Sequence, residues 1–241
     1  MNDEGRVSSN GAGRRVAGSD RRMVRGVGRA EGMLLAGVVL AVLAATGIQA
    51  KSVGTWFMEV VWVLIGLPLV VALRKRFPLT RLLCWLLVLH AVVLAYGGQY
   101  TYEETPLGEW AQHWLGGPRN DYDRLGHFVQ GFVPAVAVRE VLLRRTPLRP
   151  GGWVAFLTVS VCLAISACFE FVEWFSALLA GSGADDFLAT QGDVWDTQWD
   201  MFLCLCGAIV SLLVWRRVHN RQLGPSTMDQ PGQPAGRSTS R

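Results

Sequence analysis

Two glutamates three residues apart, Glu170 and Glu173 in "FEFVEWF", interrupt an apolar run that extends from Trp153 to Ala180. Carboxylates at that spacing lie on one face of a helix. In a low-dielectric site the two do not ionise together easily, so the pair would hold a proton or share a cation. Two further stretches carry residues of matching chemistry. "DRLGHFVQG" supplies Asp123, Arg124, His127 and Gln130, and "GDVWDTQWD" supplies Asp193, Asp196 and Asp200. An imidazole among carboxylates is a donor set for a divalent cation, with Asp123, His127, Glu170, Asp196 and Asp200 as candidate ligands. The same groups suit acid–base chemistry, with His127, Glu170 and Glu173 as candidate catalytic residues. Arg124, Gln130 and Gln191 are the candidates for holding a polar substrate.

These residues need elements to position them, and the composition says which kind. Of the 241 residues 51% are hydrophobic and 17% charged, with a mean hydropathy of +0.27. A soluble domain usually carries about a quarter charged residues. Apolar stretches at about 33–50, 54–73, 79–97, 123–143, 153–180 and 196–215 are each close to the ~20 residues that cross a hydrocarbon core as helix. The reading is an all-α, polytopic transmembrane bundle of about six helices. Residues 1–31 read as a disordered basic cytoplasmic arm, 32–222 as the transmembrane domain and 223–241 as a disordered cytoplasmic tail. Met23 and Met33 are alternative starts. The pairs Arg14-Arg15 and Arg21-Arg22 are separated by further charges from the apolar run that a twin-arginine leader would need. A cleaved leader ending near "GIQA" would leave the orientation of later helices unchanged. No internal repeat points to a two-fold transporter architecture.

The charge pattern orients the chain. Arginines gather in the N-terminal arm, at Arg74, Arg76 and Arg81, at Arg144, Arg145 and Arg149, and at Arg216, Arg217 and Arg221. The alternate connections hold Glu103, Glu104, Glu109, Asp121, Asp185 and Asp186, against Lys51 and Arg119. The positive-inside rule then predicts two cytoplasmic termini, with 98–122 and 181–195 outside. The net charge of +4 is accounted for by this clustering, which leaves no basic face for nucleic acid. The five cysteines all lie in apolar spans and read as buried thiols, with neither a disulfide framework nor a CxxC metal site.

Orientation also sets depth. Glu170 lies about 17 residues past Trp153, or ~25 Å along a helix, which puts both glutamates in the outer third of the bilayer. His127 and Asp200, near the outer starts of their helices, share that depth. Each polar stripe continues into small residues (Gly131; Ala177; Gly207 and Ser211) that suit close helix packing. An ionised group at mid-membrane costs about 2.5–3.5 kcal/mol, so several together need partners, water or a cation. Plainer roles compete: Asp193 as helix cap, Asp123 and Asp196 in first turns, His127 as a hydrogen-bonded interior residue, Arg139 and Glu140 as a pair or snorkelling groups. Glu170 and Glu173 lie far from either helix end. There is no GxSxG, HExxH or P-loop motif, and "GSGAD" (181–185) reads as the loop after a helix. "YGGQYTYEETPLGEW" fits either an interfacial aromatic belt or a lid over the polar layer.

"YTYEETPLGEW", "NDYDRLGHFVQGFVPAVAVREVLLR", "FEFVEW" and "GDVWDTQWDMF" together resemble the YjdF-type bacterial inner-membrane proteins, in order and spacing across most of 33–222. The resemblance implies a multi-pass protein of the bacterial inner (plasma) membrane and supplies no established reaction. Asp123, Arg124, His127, Gln130, Glu170, Glu173, Trp174, Gln191, Gly192, Asp193, Asp196, Thr197 and Asp200 match its motif positions. A looser pattern, D-[KR]-x-x-H followed by an intramembrane acid and an Asp-led helix, is similar to VanZ-type membrane proteins. This chain departs from it at Glu173, where a Gln is expected, and in "WDTQWD".

Three readings stand open at this point. The first is an outward-facing site that binds or modifies a small polar group or lipid headgroup with a divalent cation. The second is a proton-coupled transporter, and the third a structural membrane protein whose polar layer only sets helix packing.

Overall fold

A computed structural model describes residues 24–180 and 191–224. The N-terminal arm up to Met23, the 181–190 connection with Asp185 and Asp186, and the tail from 225 lie outside the described residues. Seven helices make up the described chain, with no strand: α1 (Arg29–Ile48), α2 (Val53–Leu73), α3 (Arg81–Gln99), α4 (Pro106–Leu115), α5 (Tyr122–Arg145), α6 (Gly152–Ala180) and α7 (Asp196–Leu223). The helix starts follow local chemistry. The Ser52 hydroxyl accepts the Thr55 amide and the Thr80 hydroxyl that of Leu83, while α4 opens on Pro106 and closes on Gly116 at φ 69°.

Five helices (α1, α2, α3, α6 and α7) are long and apolar enough to cross a membrane. The sixth expected crossing is α5, whose 24 residues span ~36 Å. It carries too many charges to register as apolar, and it sits at the centre instead, packed against α3, α6 and α7. Its buried side includes Asp123, His127, Arg139 and Glu140. A helix that polar is stable in a bilayer only when other helices screen it from lipid. Helices α1 and α2 pack on the far side of α3.

Two boundaries differ from the sequence reading. Helix α1 starts at Arg29 rather than 33, and the segment before it is tied down: the Arg25 amide donates to the Gln222 carbonyl and its own carbonyl accepts from the Arg81 amide. Helix α7 continues past 215 to Leu223 because His219 and Leu223 are buried against the bundle.

Close approach of α5 and α7, which run parallel, depends on two glycines. A Cβ on Gly131 would collide with the Cys204 carbonyl, and one on Gly207 with the Phe128 carbonyl. Below them Val133 and Val136 pack against Leu83 and Leu86, and Ala135 against Cys162, Cys204 and Ala208, with the hydroxyls of Thr158, Ser166 and Ser211 buried among them. Among the described residues, the connectivity puts Glu103, Glu104, Glu109, Asp121 and Asp193 at one end of the bundle and Arg76, Arg81, Arg144, Arg145, Arg216 and Arg217 at the other.

Candidate functional site

His127 is the centre of the polar layer. Its Nδ1 lies 3.0 Å from Gln130 Oε1, a bond that Nδ1–H donates. That tautomer leaves Nε2 facing Asp123 Oδ1 at 3.6 Å and Asp200 Oδ2 at 3.9 Å. Glu170 Oε1 lies 3.8 Å from Nδ1, beyond hydrogen-bond length. Helices α5, α6 and α7 thus bring His127, Glu170 and Asp200 together, as the shared depth and small-residue stripes predict. Asp200 is 2% exposed and Glu170 7%. One oxygen of each, Asp200 Oδ1 and Glu170 Oε1, is buried without a hydrogen-bond partner. Glu173 is half-buried, within electrostatic reach of Glu170, Asp123 and Asp200.

The remaining acids near the layer have arginine partners. Arg119 Nη1 bonds Asp196 Oδ1 at 2.7 Å, and both residues are buried. Burial opposes the Arg119 charge, but the carboxylates of Asp196, Asp123 and Asp121 together outweigh it and raise the guanidinium further. Arg124 bonds Asp193 at 2.8 Å and Asp121 at 3.0 Å, with its guanidinium over the Trp199 ring. Asp193 does not cap α7; Trp195 stands at the cap position, and Asp193, three residues before the helix, accepts the Trp195 amide at its Oδ1. Asp123 lies in the first turn of α5 and Asp196 in that of α7, as read. Gln191 is engaged by the backbone of Asn120, donating to its carbonyl at 2.9 Å and accepting its amide at 3.1 Å. The carboxylates therefore sort into two sets. Asp121, Asp193 and Asp196 are paired with arginine, while Asp123, Glu170 and Asp200 surround one imidazole.

A fourth interior acid arrives from α2. Glu59 is buried and within electrostatic reach of Asp123, His127 and Glu173. Its partner is the Tyr102 hydroxyl. Burial holds that phenol well above its usual range, and the neighbouring carboxylates add to the effect, so it remains a donor. The ring fits only because Gly97 and Gly126 have no Cβ to meet it. Thr101 and Tyr102 adopt left-handed backbone at φ 57° and 58° to deliver it, each costing about 1–2 kcal/mol. Glu59 was legible as a lone acid in an apolar span, but nothing in sequence order connects it to a tyrosine beyond the next helix. Tyr102 and Tyr122 pack with their rings tilted, centroids 5.8 Å apart, inside the bundle, whereas Trp110 and Trp114 remain outside it. The aromatic segment is therefore partly core, and its tryptophans do not cover the layer.

Arg139 and Glu140 neither pair with each other nor snorkel. Glu140, 0% exposed, accepts the Thr80 amide and hydroxyl, Arg144 at 2.5 Å and His219 Nε2 at 3.2 Å. Arg139 donates to His219 Nδ1 at 2.8 Å and to Asn220 at 2.6 Å. Because arginine only donates, Nδ1 of His219 must accept and its Nε2–H must donate to Glu140. This second network is internally satisfied and joins the start of α3 to the ends of α5 and α7.

Comparison with known proteins fits this architecture. Residues 32–221 match the family model described as "Predicted membrane protein (DUF2238)". The chain is 53% identical over 182 residues to "Inner membrane protein YjdF" of Escherichia coli (strain K12), covering 76% of this chain and 87% of that protein. No solved structure matches. The resemblance of the motifs is thus a family relationship, and the protein is a multi-pass inner-membrane protein. The chain belongs to the DUF2238 family of predicted membrane proteins.

Proposed function

We propose that the acidic end of the bundle faces outward and carries a divalent-cation site, formed by Asp123, His127 and Asp200 with Glu170 beside them, that receives a small polar group or a lipid headgroup. One observation carries this reading: one donor atom from each of Asp123, His127 and Asp200 lies within 4.8 Å of the others. Ligand atoms about 2.0–2.2 Å from a common ion stand roughly 3–4 Å apart, so a small inward shift suffices. The unpartnered oxygens of Asp200 and Glu170 supply the remaining incentive, since each is costly to leave bare in a low dielectric. Gln130 fixes the imidazole in the tautomer whose Nε2 lone pair faces the carboxylates. A bound cation would polarise an oxygen of the incoming group. Arg124, at the edge of the layer, is the charge an anionic headgroup meets first. Glu173 and Glu170 are then the groups placed to hold or accept a proton.

Against transport stands the stretch between the two polar networks. On the facing parts of α5, α6 and α7 it is filled by Val133, Ala135, Cys162, Cys204 and Ala208 together with the buried hydroxyls of Thr158, Ser166 and Ser211, and it carries no carboxylate, histidine or basic side chain. The structural reading differs from the site in one measurable way. Purified protein in detergent is analysed for bound metal and co-purifying lipid, and its melting temperature is recorded with and without Mn²⁺, Zn²⁺ or Mg²⁺. A cation site gives a rise for wild type that Glu170→Gln reduces and His127→Ala abolishes. No cation-dependent shift in wild type removes the metal, and unaltered behaviour of both variants leaves the layer purely structural.

A further inference from the structure

We infer that α4 is a membrane-surface helix, with Leu107, Trp110 and Trp114 seated in the interfacial region of the leaflet at the acidic end of the bundle. Eight of its ten residues divide into three faces, the terminal Pro106 and the 84% exposed Leu115 standing outside the division. With about 100° between successive residues, Leu107, Trp110 and Trp114 fall within one narrow arc. Gly108, Ala111 and Gln112 lie a third of a turn further round, and Glu109 and His113 a third beyond those. The burial follows the division: Gly108 is buried and Ala111 and Gln112 half-buried, while Trp110 is 60% and Trp114 73% exposed. Glu109 and His113 are exposed on the remaining arc. Three faces of that kind suit a helix lying where bundle, lipid and water meet.

The docked face is a fitted contact. A Cβ on Gly108 would strike the Asn120 side chain, which donates to the Thr105 carbonyl at 3.1 Å. The Leu107 amide donates to the Tyr96 hydroxyl at 3.3 Å. These contacts stop α4 from rolling, so the tryptophan edge cannot turn inward to find protein. The occupant follows from continuity. Helix α4 joins the end of α3 to the start of α5, so it lies at the level where two membrane-embedded helices leave the hydrocarbon. Trp at that level prefers the headgroup region, its ring apolar and its N–H hydrogen-bonding. Trp110 and Trp114 have ring centroids 6.0 Å apart, and the exposed Leu107 lies on the same arc of the helix. Asn120 also holds Gln191, so the same contacts that fix α4 tie the bilayer surface to the loops around the polar layer.

The test places an environment-sensitive NBD label at single positions of an otherwise cysteine-free chain, in vesicles of phosphatidylethanolamine and phosphatidylglycerol. Labels at Trp110→Cys and Trp114→Cys should show blue-shifted emission and several-fold stronger quenching by bromine-substituted acyl chains than labels at Glu109→Cys and His113→Cys. Soluble iodide should reverse that order. Leu107→Cys gives the same reading should a tryptophan replacement fail to yield monodisperse protein. Equal bromine quenching at all positions overturns the inference, as does a water-like signal at 110 and 114. Protection of those two from both quenchers also overturns it, because a second protein surface would then cover the face.

Discussion

His127 Nε2 stands 3.9 Å from Asp200 Oδ2 across the contact between α5 and α7, and two glycines below make that distance attainable. Gly131, one turn past His127, lies against the Cys204 backbone, and Gly207 lies against the backbone of Phe128. Gly131→Ala or Gly207→Ala meets carbonyls, which cannot step aside as a flexible side chain can. Each should destabilise the protein by about 1–3 kcal/mol or more, read as a lower melting temperature in detergent. Any cation-dependent stabilisation should fall with it. Wild-type melting in both variants would show that the helices do not pack this closely.

Gln130 orients His127 without being a candidate ligand. Gln130→Leu should weaken cation binding by about 10–100-fold, the usual effect of losing a hydrogen bond behind a ligating imidazole. Titration calorimetry with Mn²⁺ or Zn²⁺ measures it. Gln130→Glu, which restores an acceptor for Nδ1–H, should recover most of the affinity. Equal affinity in wild type and Gln130→Leu would remove Gln130 from the site.

Arg119→Met leaves Asp196 buried without its strongest partner. The expected loss is about 3 kcal/mol, the lower end for breaking a buried pair. Replacing both residues, Arg119→Met with Asp196→Leu, should restore most of it. A thermal-denaturation cycle of the four proteins checks this; strict additivity would mean that the two do not interact.

The network at the arginine-rich end should be separable from the candidate site. Glu140→Leu strands the Thr80 amide and Arg144, at a cost of about 3 kcal/mol. Its cation-dependent shift, measured relative to its own lowered melting temperature, should match that of wild type. A lost shift would couple the two ends of the bundle.

Topology is checked with an impermeant thiol reagent on intact cells. A cysteine at Pro118 should be labelled and one at Arg145 should not, both side chains being exposed in the fold. The reverse pattern would turn the polar layer toward the cytoplasm.

The sequence by itself determined the membrane character, the approximate crossings and the grouping of acids at one depth. Those features depend on local quantities: run length, hydropathy and the residue count from a helix end. The motif at Asp123 to Gln130 and the acids at Glu170 and Asp200 were legible for the same reason, because helical spacing alone fixes a face and a level. Tertiary structure decided which groups meet. It put Arg119 on Asp196 and Arg124 on Asp193 and Asp121, leaving Asp123, Glu170 and Asp200 around His127. It also brought Glu59 to Tyr102 from separate elements, and turned Arg139 and Glu140 toward His219 rather than toward each other. Such pairings depend on how helices rotate and how closely they approach. Those are settled by long-range contacts, here the glycines at 97, 126, 131 and 207, whose effect on distant partners has no local signature.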